Sequence, residues 1–270
     1  MMILEVLDAL SILVTLVFFS LGSYYDMKAR EVSDRMWLAY APLGIGLTIG
    51  HLIVDASALL LVAISAGITV LIAFGLFYLG LFGGADAKAI LCLGATMPLA
   101  PSSYQTIIGY VHPFYPLVVT ITSYLCSTSV IIWIGLSNFG RYIRRGKRMF
   151  DGLLEEALWK KVLACITGYP VEQAKLRSTF YLYPMEEVVE TGSGAHRAFK
   201  LFMSAEEDRP QELSKLESQL NRIGYAGEVW VTPGLPHLVF LLLAIIITVI
   251  FGDPLFGTVM KLVGHNPLRL

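Results

Sequence analysis

Six apolar stretches, 9–25, 37–54, 58–79, 88–101, 115–136 and 235–251, punctuate the chain and hold few charges. A bilayer crossing takes about 20 mostly apolar residues, with a range of roughly 17–25. The expected fold class is therefore an all-α integral membrane protein of about six transmembrane helices. The fourth stretch is the shortest and carries Gly94 and Pro98. The first has Glu5 and Asp8 on its N-terminal flank and neither Lys nor Arg there. No small-residue cleavage site follows it, so it reads as a retained helix rather than a secretory signal.

Charge is segregated in the same way. Only 15% of residues are charged, against roughly 25% in a soluble globular domain. Residues 138–232 hold 27 of the 41 formal charges, 14 basic and 13 acidic. The domain organisation this implies is helices one to five over 1–137, a soluble cytoplasmic insertion over 138–232, and helix six with a tail over 233–270. The insertion reads as a small α+β unit. An amphipathic helix is expected over 151–166, suited to lie against a membrane surface. Strands are expected over 180–183, 198–203 and 228–231, and a polar helix over 204–222, stopped by Gly224. Nothing in this unit reads as catalytic. The net charge of −1 gives no pull toward nucleic acid, and none is expected as a partner; the lipid bilayer is.

Short cytoplasmic loops are enriched in Lys and Arg. Lys28, Arg30 and Arg35 follow the first stretch, none falls in 51–57, Lys88 marks the third connection, and Arg141, Arg144, Arg145, Lys147 and Arg148 follow the fifth stretch. The alternation predicts a multi-pass protein of the cell membrane with its N-terminus outside and the basic loops and insertion in the cytoplasm. Lys261 and Arg269 in the tail then lie outside, a mild departure.

Several hydrolytic devices are missing from the sequence. There is no H-E-x-x-H, and the histidines at 51, 112, 196, 237 and 265 are scattered, so no metal site is expected. There is no G-x-S-x-G, and Thr191-Gly192-Ser193-Gly194 reads as a flexible polar loop. Cys92, Cys126 and Cys165 are far apart and read as free thiols.

Carboxylates remain. Ionisable residues in or beside a span are costly and are functional hypotheses by default. Asp26 ends the first stretch and Asp86 opens the fourth; if the helices alternate, both lie at the same cytoplasmic level. Two carboxylates a few ångströms apart resist double ionisation and hold one proton between them. The ionised member can take a proton from water while the protonated one polarises a carbonyl, which hydrolyses a peptide without metal or covalent intermediate. Asp34, Asp55 and Asp253 read as solvated interface residues, as Asp26 alone would. Gly83 and Gly84 directly precede Asp86 and remove side chains where an extended backbone could approach. From the residues alone, the pair serves either proteolysis or a proton relay in a proton-coupled transporter. Inverted repeats would favour transport, and none is evident.

The residues around both aspartates resemble a known family. Asp26-Met27-Lys28-Ala29-Arg30-Glu31-Val32-Ser33-Asp34 resembles the first motif of the archaeal preflagellin and type IV prepilin peptidases, a branch of the GxGD membrane aspartyl proteases. Phe82-Gly83-Gly84-Ala85-Asp86-Ala87-Lys88 resembles the second, with Ala85 where a strict GxGD has glycine. Val229 to Pro236 is similar to the Pro-rich entry to the family's last helix. The resemblance implies Asp26 and Asp86 as the catalytic dyad, with no cofactor. It implies removal of class III signal peptides from preflagellin or prepilin substrates at the cytoplasmic face. Family substrates carry Lys or Arg before the cut, which makes Glu31 and Asp34 candidates for leader recognition. Gly83, Gly84 and Lys88 complete the substrate-binding set. The cysteine-rich region and N-methyltransferase activity of bacterial relatives are not expected here.

Overall fold

The computed structural model describes residues 2–101, 106–153, 155–191, 194–201 and 209–262. Four expectations fall partly beyond these: the Gly192-Ser193 loop, Leu154 of the amphipathic helix, the segment 202–208, and Arg269 in the tail lie outside the described residues. Two compact units result, Met1–Ser127 with Pro236–Leu270, and Thr128–Leu235.

The first unit is helical. It contains α1 (Met2–Ala29), α2 (Asp34–Val54), α3 (Leu59–Tyr78), α4 (Gly84–Thr96), the first part of α5 (Tyr115–Arg145), α9 (His237–Phe251) and α10 (Phe256–Leu262); the remaining labels belong to the second unit. Among the described residues, five helical stretches are long and apolar enough to cross a bilayer: Met2–Ala29, Asp34–Val54, Ala56–Tyr78, Tyr115–Phe150 and His237–Met260. The fourth expected span differs. Its helix, α4, has 13 residues, about 20 Å at 1.5 Å per residue, short of a core of about 30 Å. Met97 precedes Pro98, and the residue before a proline is pushed out of the helical region. The chain leaves there, with Ser65 Oγ donating to the Pro98 carbonyl at 2.5 Å. It turns back through a bridge between Leu99 and Phe114.

The helices bury what a water-soluble bundle would expose. In α1 the buried stripe is Asp8, Ser11, Thr15, Phe19, Gly22 and Ser23, at helical spacing, while Leu10, Leu13, Val17 and Leu21 point outward. In lipid there is no hydrophobic drive to bury leucine, so small and hydrogen-bonding residues take the interfaces. Tyr40 donates to Thr15 Oγ1 at 3.0 Å, tying α2 to α1. A methyl group at Gly94 would fall 2.5 Å from Thr69 Cγ2, so glycine is what lets α4 meet α3. Ile90 and Leu93 of α4, Phe19 of α1 and Leu241 of α9 share one core.

The second unit holds the rest of α5, then α6 (Leu158–Thr167), β1 (Tyr169–Val171), α7 (Gln173–Ser178), β2 (Leu182–Pro184), β3 (Glu186–Thr191), β4 (Gly194–Phe199), α8 (Arg209–Arg222) and β5 (Val229–Pro233). An antiparallel sheet runs β1-β5-β2 and a hairpin pairs β3 with β4. The period of two in β5 splits the core. Trp230 packs with Phe150, Phe199 and Met185, while Val229 and Val231 face Leu182, Leu216 and Leu220. The amphipathic helix begins at Leu158 rather than 151, because Gly152, at φ 73°, makes a left-handed turn that a helix cannot include.

Candidate active site

Asp26 stands in the last turn of α1, three residues before its end. The helix stops at Arg30, whose φ of 56° is the single positive value among described non-glycine residues. A left-handed cap of this kind is common with Gly and unusual with Arg. It returns the Arg30 N–H to the Asp26 carbonyl at 3.0 Å and keeps its guanidinium 3.9 Å from Asp26 Oδ1. The other carboxylate oxygen, Oδ2, accepts the Leu238 N–H at 3.3 Å. Leu238 is in the first turn of α9, so Asp26 lies against a helix N-terminus, where backbone N–H groups favour negative charge. Ser23, one turn earlier, donates to the Leu238 carbonyl at 3.0 Å and fixes the two helices in register.

Asp86 is the third residue of α4, a helix outside the five long spans. Its Oδ2 accepts the N–H of Gly83, the N-cap, at 3.0 Å. That is half of a capping box, the half supplied by an acidic residue at the third position. Burial raises the Asp86 carboxyl to about 6, the Gly83 N–H opposes the rise, and the charge of Asp26 adds to it. Sixty residues away in sequence, Asp26 is thus within electrostatic reach of Asp86.

An aromatic wall stands beside them. The rings of Phe82 and Tyr124 stack at 5.8 Å and 3°. His237 lies 5.0 Å from the first and 5.2 Å from the second, with its Nε2 3.4 Å from Ser123 Oγ. Tyr124 is within electrostatic reach of Asp86. Sequence reasoning missed His237, Tyr124, Ser23 and the Leu238 N–H. The Pro-rich entry to α9 was the available signal, since Pro236 directly precedes this helix.

The other expected site residues divide. A Cβ at Gly83 would lie 3.3 Å from Asp86 Oδ2, while one at Gly84 would meet nothing within 4 Å. Gly84, exposed two residues before Asp86, therefore borders open space and is not required by packing. Accordingly, Gly84→Val should leave thermal unfolding in detergent nearly unchanged, and if a peptide backbone approaches Asp86 across this glycine it should lower turnover tenfold or more. Equal losses of both would return Gly84 to a structural role. Lys88 Nζ pairs with Asp34 Oδ1 at 2.5 Å, both exposed, which joins α4 to the start of α2. Glu31 is exposed in the connection between α1 and α2. Two aspartates read as solvated have structural work. Asp55 accepts from the Ser57 N–H at 3.0 Å. Asp253 is 1% exposed and accepts from the N–H groups of Leu255 and Phe256, at 3.1 and 2.9 Å, ahead of α10.

Comparison with known proteins places the chain among peptidases. Residues 13–134 match the model of the type IV leader peptidase family. Residues 160–254 match the archaeal peptidase A24 C-terminus type II. The chain is 28% identical over 252 residues to the preflagellin peptidase of Methanocaldococcus jannaschii, covering 90% of this chain and 94% of that protein. It is 25% identical to the preflagellin peptidase of Methanococcus voltae, over 90% and 95% of the two. The figure is 23% for the preflagellin peptidase of Methanococcus maripaludis, over 86% and 91%. The first family model takes in both aspartates, the second takes in the turn that delivers Leu238 to Asp26, and the relatives run through both. This multi-pass membrane protein belongs to the type IV leader peptidase family.

Proposed function

We propose that the chain is a membrane aspartyl endopeptidase that removes leader peptides from preflagellins or type IV prepilins, with Asp26 and Asp86 as its catalytic pair. The observation that carries this reading is the electrostatic influence of Asp26 on Asp86, both half-buried carboxylates, in a chain of this family. The three relatives carry the name preflagellin peptidase, and nothing in them supports transport.

The surroundings suggest a division of labour. Asp26 is faced by a helix N-terminus and by Arg30, and Asp86 by one N–H and the charge of Asp26. The proton of the pair is then held on Asp86 and the negative charge on Asp26. Asp26 takes a proton from water as the oxygen attacks the scissile carbonyl, and Asp86 gives its proton to the carbonyl oxygen. Collapse of the tetrahedral intermediate returns a proton to the leaving amine and regenerates the pair. The basic residues at 28, 30 and 35 and at 141–148 support an active site on the cytoplasmic side.

Membranes carrying the chain, mixed with a preflagellin bearing a basic leader, should yield a single shorter product cut just before the hydrophobic stretch. Proton-driven uptake of a solute by sealed vesicles, with no cleavage, would favour transport instead. Recognition of the leader is testable by charge. At a partly desolvated mouth, a contact to a charged group contributes about 1–3 kcal/mol. Glu31→Lys should therefore cost a basic leader roughly five- to hundred-fold in kcat/KM and partly restore an acidic one. Asp34 is already paired with Lys88, and exposed pairs are worth ~0–1 kcal/mol, so Asp34→Lys should have the smaller effect. Parallel decline on both leaders would remove Glu31 from recognition.

A further inference from the structure

Each aspartate is held by the start of a helix. Asp26 accepts the N–H of Leu238 in the first turn of α9, and Asp86 accepts the N–H of Gly83, the N-cap of α4. These two helix starts are far apart in the chain, so packing must fix one against the other. His237, the first residue of α9, makes such a contact. Its ring centroid lies 5.0 Å from that of Phe82, the residue before Gly83, and 5.2 Å from that of Tyr124 on α5. The tilts are 47° and 46°, so the imidazole is wedged against two nearly parallel rings at once. Phe82 is itself 4% exposed and shares the helical core with Leu238 and Ala87.

The polar side of the imidazole has less to do. Nε2 lies 3.4 Å from Ser123 Oγ, the long end of a hydrogen bond. Ser123 already donates its one proton to the Thr120 carbonyl at 2.7 Å, so its oxygen accepts and Nε2 donates. What remains is a weak polar contact and a close aromatic one, and the aromatic one faces the Asp86 turn. The next residue completes the link. The buried Leu238 gives its N–H to Asp26 and takes the Ser23 hydroxyl on its carbonyl at 3.0 Å. A rotation of α9 at its start would carry that N–H off Asp26.

We propose that His237 is a positioning residue for the carboxylate pair. Through Phe82, its ring sets the α9 start that holds Asp26 against the α4 start that holds Asp86. This rests on the reading of Asp26 and Asp86 as the catalytic pair. The imidazole exchanges no proton in the reaction; its ring is what matters.

Steady-state cleavage of a preflagellin with a basic leader by the full chain in detergent tests this, with thermal unfolding measured beside it. Misplacing a reacting group by about 1 Å costs on the order of 10²-fold, so His237→Ala should lower kcat about 10- to 100-fold with little change in KM. A loosened Phe82 would also admit water beside Asp86 and relieve the burial that raises its carboxyl to about 6. Asp86 must hold its proton to act as the acid, so the alkaline limb of kcat should move to lower pH in this variant. His237→Phe keeps the ring and loses the Ser123 contact, and should retain nearly the wild-type kcat and pH profile. His237→Gln keeps a polar group and loses the ring, and should behave like His237→Ala. Phe82→Leu should lower kcat as well, and combined with His237→Ala should cost little more than either alone, because the two share one contact.

A near-wild-type kcat in His237→Ala overturns the proposal. So does an active His237→Gln beside an inactive His237→Phe, which would assign the role to the imidazole's hydrogen bond or proton. A fall in kcat that follows the fall in unfolding temperature, with the alkaline limb in place, would make the contact structural only and overturns it too. Asp26→Asn and Asp86→Asn are run alongside. Cleavage surviving in either removes the pair and this proposal with it, whereas inactive asparagine variants beside a wild-type-like His237→Ala remove this proposal alone.

Discussion

Asp26→Asn and Asp86→Asn each lower cleavage of a preflagellin-like substrate by about 10³-fold or more, while both variants insert and unfold at nearly the wild-type temperature. Asparagine is the informative replacement because of what each carboxylate does structurally. Asp86 accepts the Gly83 N–H and Asp26 the Leu238 N–H; an amide oxygen can accept both. What it cannot do is pass a proton, the contribution for which general acid–base catalysis typically supplies 10²–10⁴-fold. Alanine confounds the two roles. Asp86→Ala removes the acceptor of the Gly83 N–H as well as the acid, at about 0.5–1.5 kcal/mol of stability, and should be as inactive but less stable than Asp86→Asn. Turnover by either asparagine variant within tenfold of wild type would remove the dyad.

The second large effect lies far from the chemistry. Glu186→Ala should destabilise the second unit by about 3–5 kcal/mol, the usual cost of orphaning one member of a buried pair. The Arg197 side chain is 3% and the Glu186 side chain 0% exposed. The guanidinium grips both carboxylate oxygens at 2.8 Å, and Glu186 also accepts the Trp230 N–H at 2.7 Å. Removing the carboxylate strands a buried cation and a backbone donor in the middle of the unit. Arg197 further donates to the carbonyls of Asp151 and Glu228, at 2.9 and 3.1 Å, so those lose their anchor as well. Glu186→Leu with Arg197→Met should cost far less than Glu186→Ala alone, because neither charge is then buried. Chemical denaturation followed by Trp230 fluorescence reads both, and a loss under 1 kcal/mol for Glu186→Ala would show the pair to be dispensable.

The sequence made some of this legible for identifiable reasons. A carboxylate at the edge of an apolar run is conspicuous, and Asp26 and Asp86 stood out on that ground before any geometry. Hydropathy located the five long helices because length and apolarity are what a bilayer requires. It overextended the fourth, since Met97 to Ala100 are as apolar as the helix they follow and the exit is decided by Pro98. The partners of Asp26 were out of reach for another reason. The Leu238 N–H is a backbone group and acts through the start of α9, more than two hundred residues away. Asp253 was misread because capping depends on whether a helix begins just after it, and α10 is only seven residues long. In the second unit, β3 begins Glu-Glu-Val-Val-Glu and lacks the alternation that marks a strand. Its Glu186 looks like surface until Arg197 arrives from the paired strand.

The central claim is that two carboxylates activate water directly, and single-turnover cleavage in ¹⁸O-water tests it. Purified wild-type chain, in excess over a preflagellin with a basic leader, is quenched in denaturant, and protein and peptides are weighed by mass spectrometry. The account predicts one ¹⁸O in the new C-terminal carboxyl of the released leader and no added mass on the protein at any time. It also predicts no product from the Asp26→Asn/Asp86→Asn double variant. A transient leader–protein adduct, or product from the double variant, would contradict it.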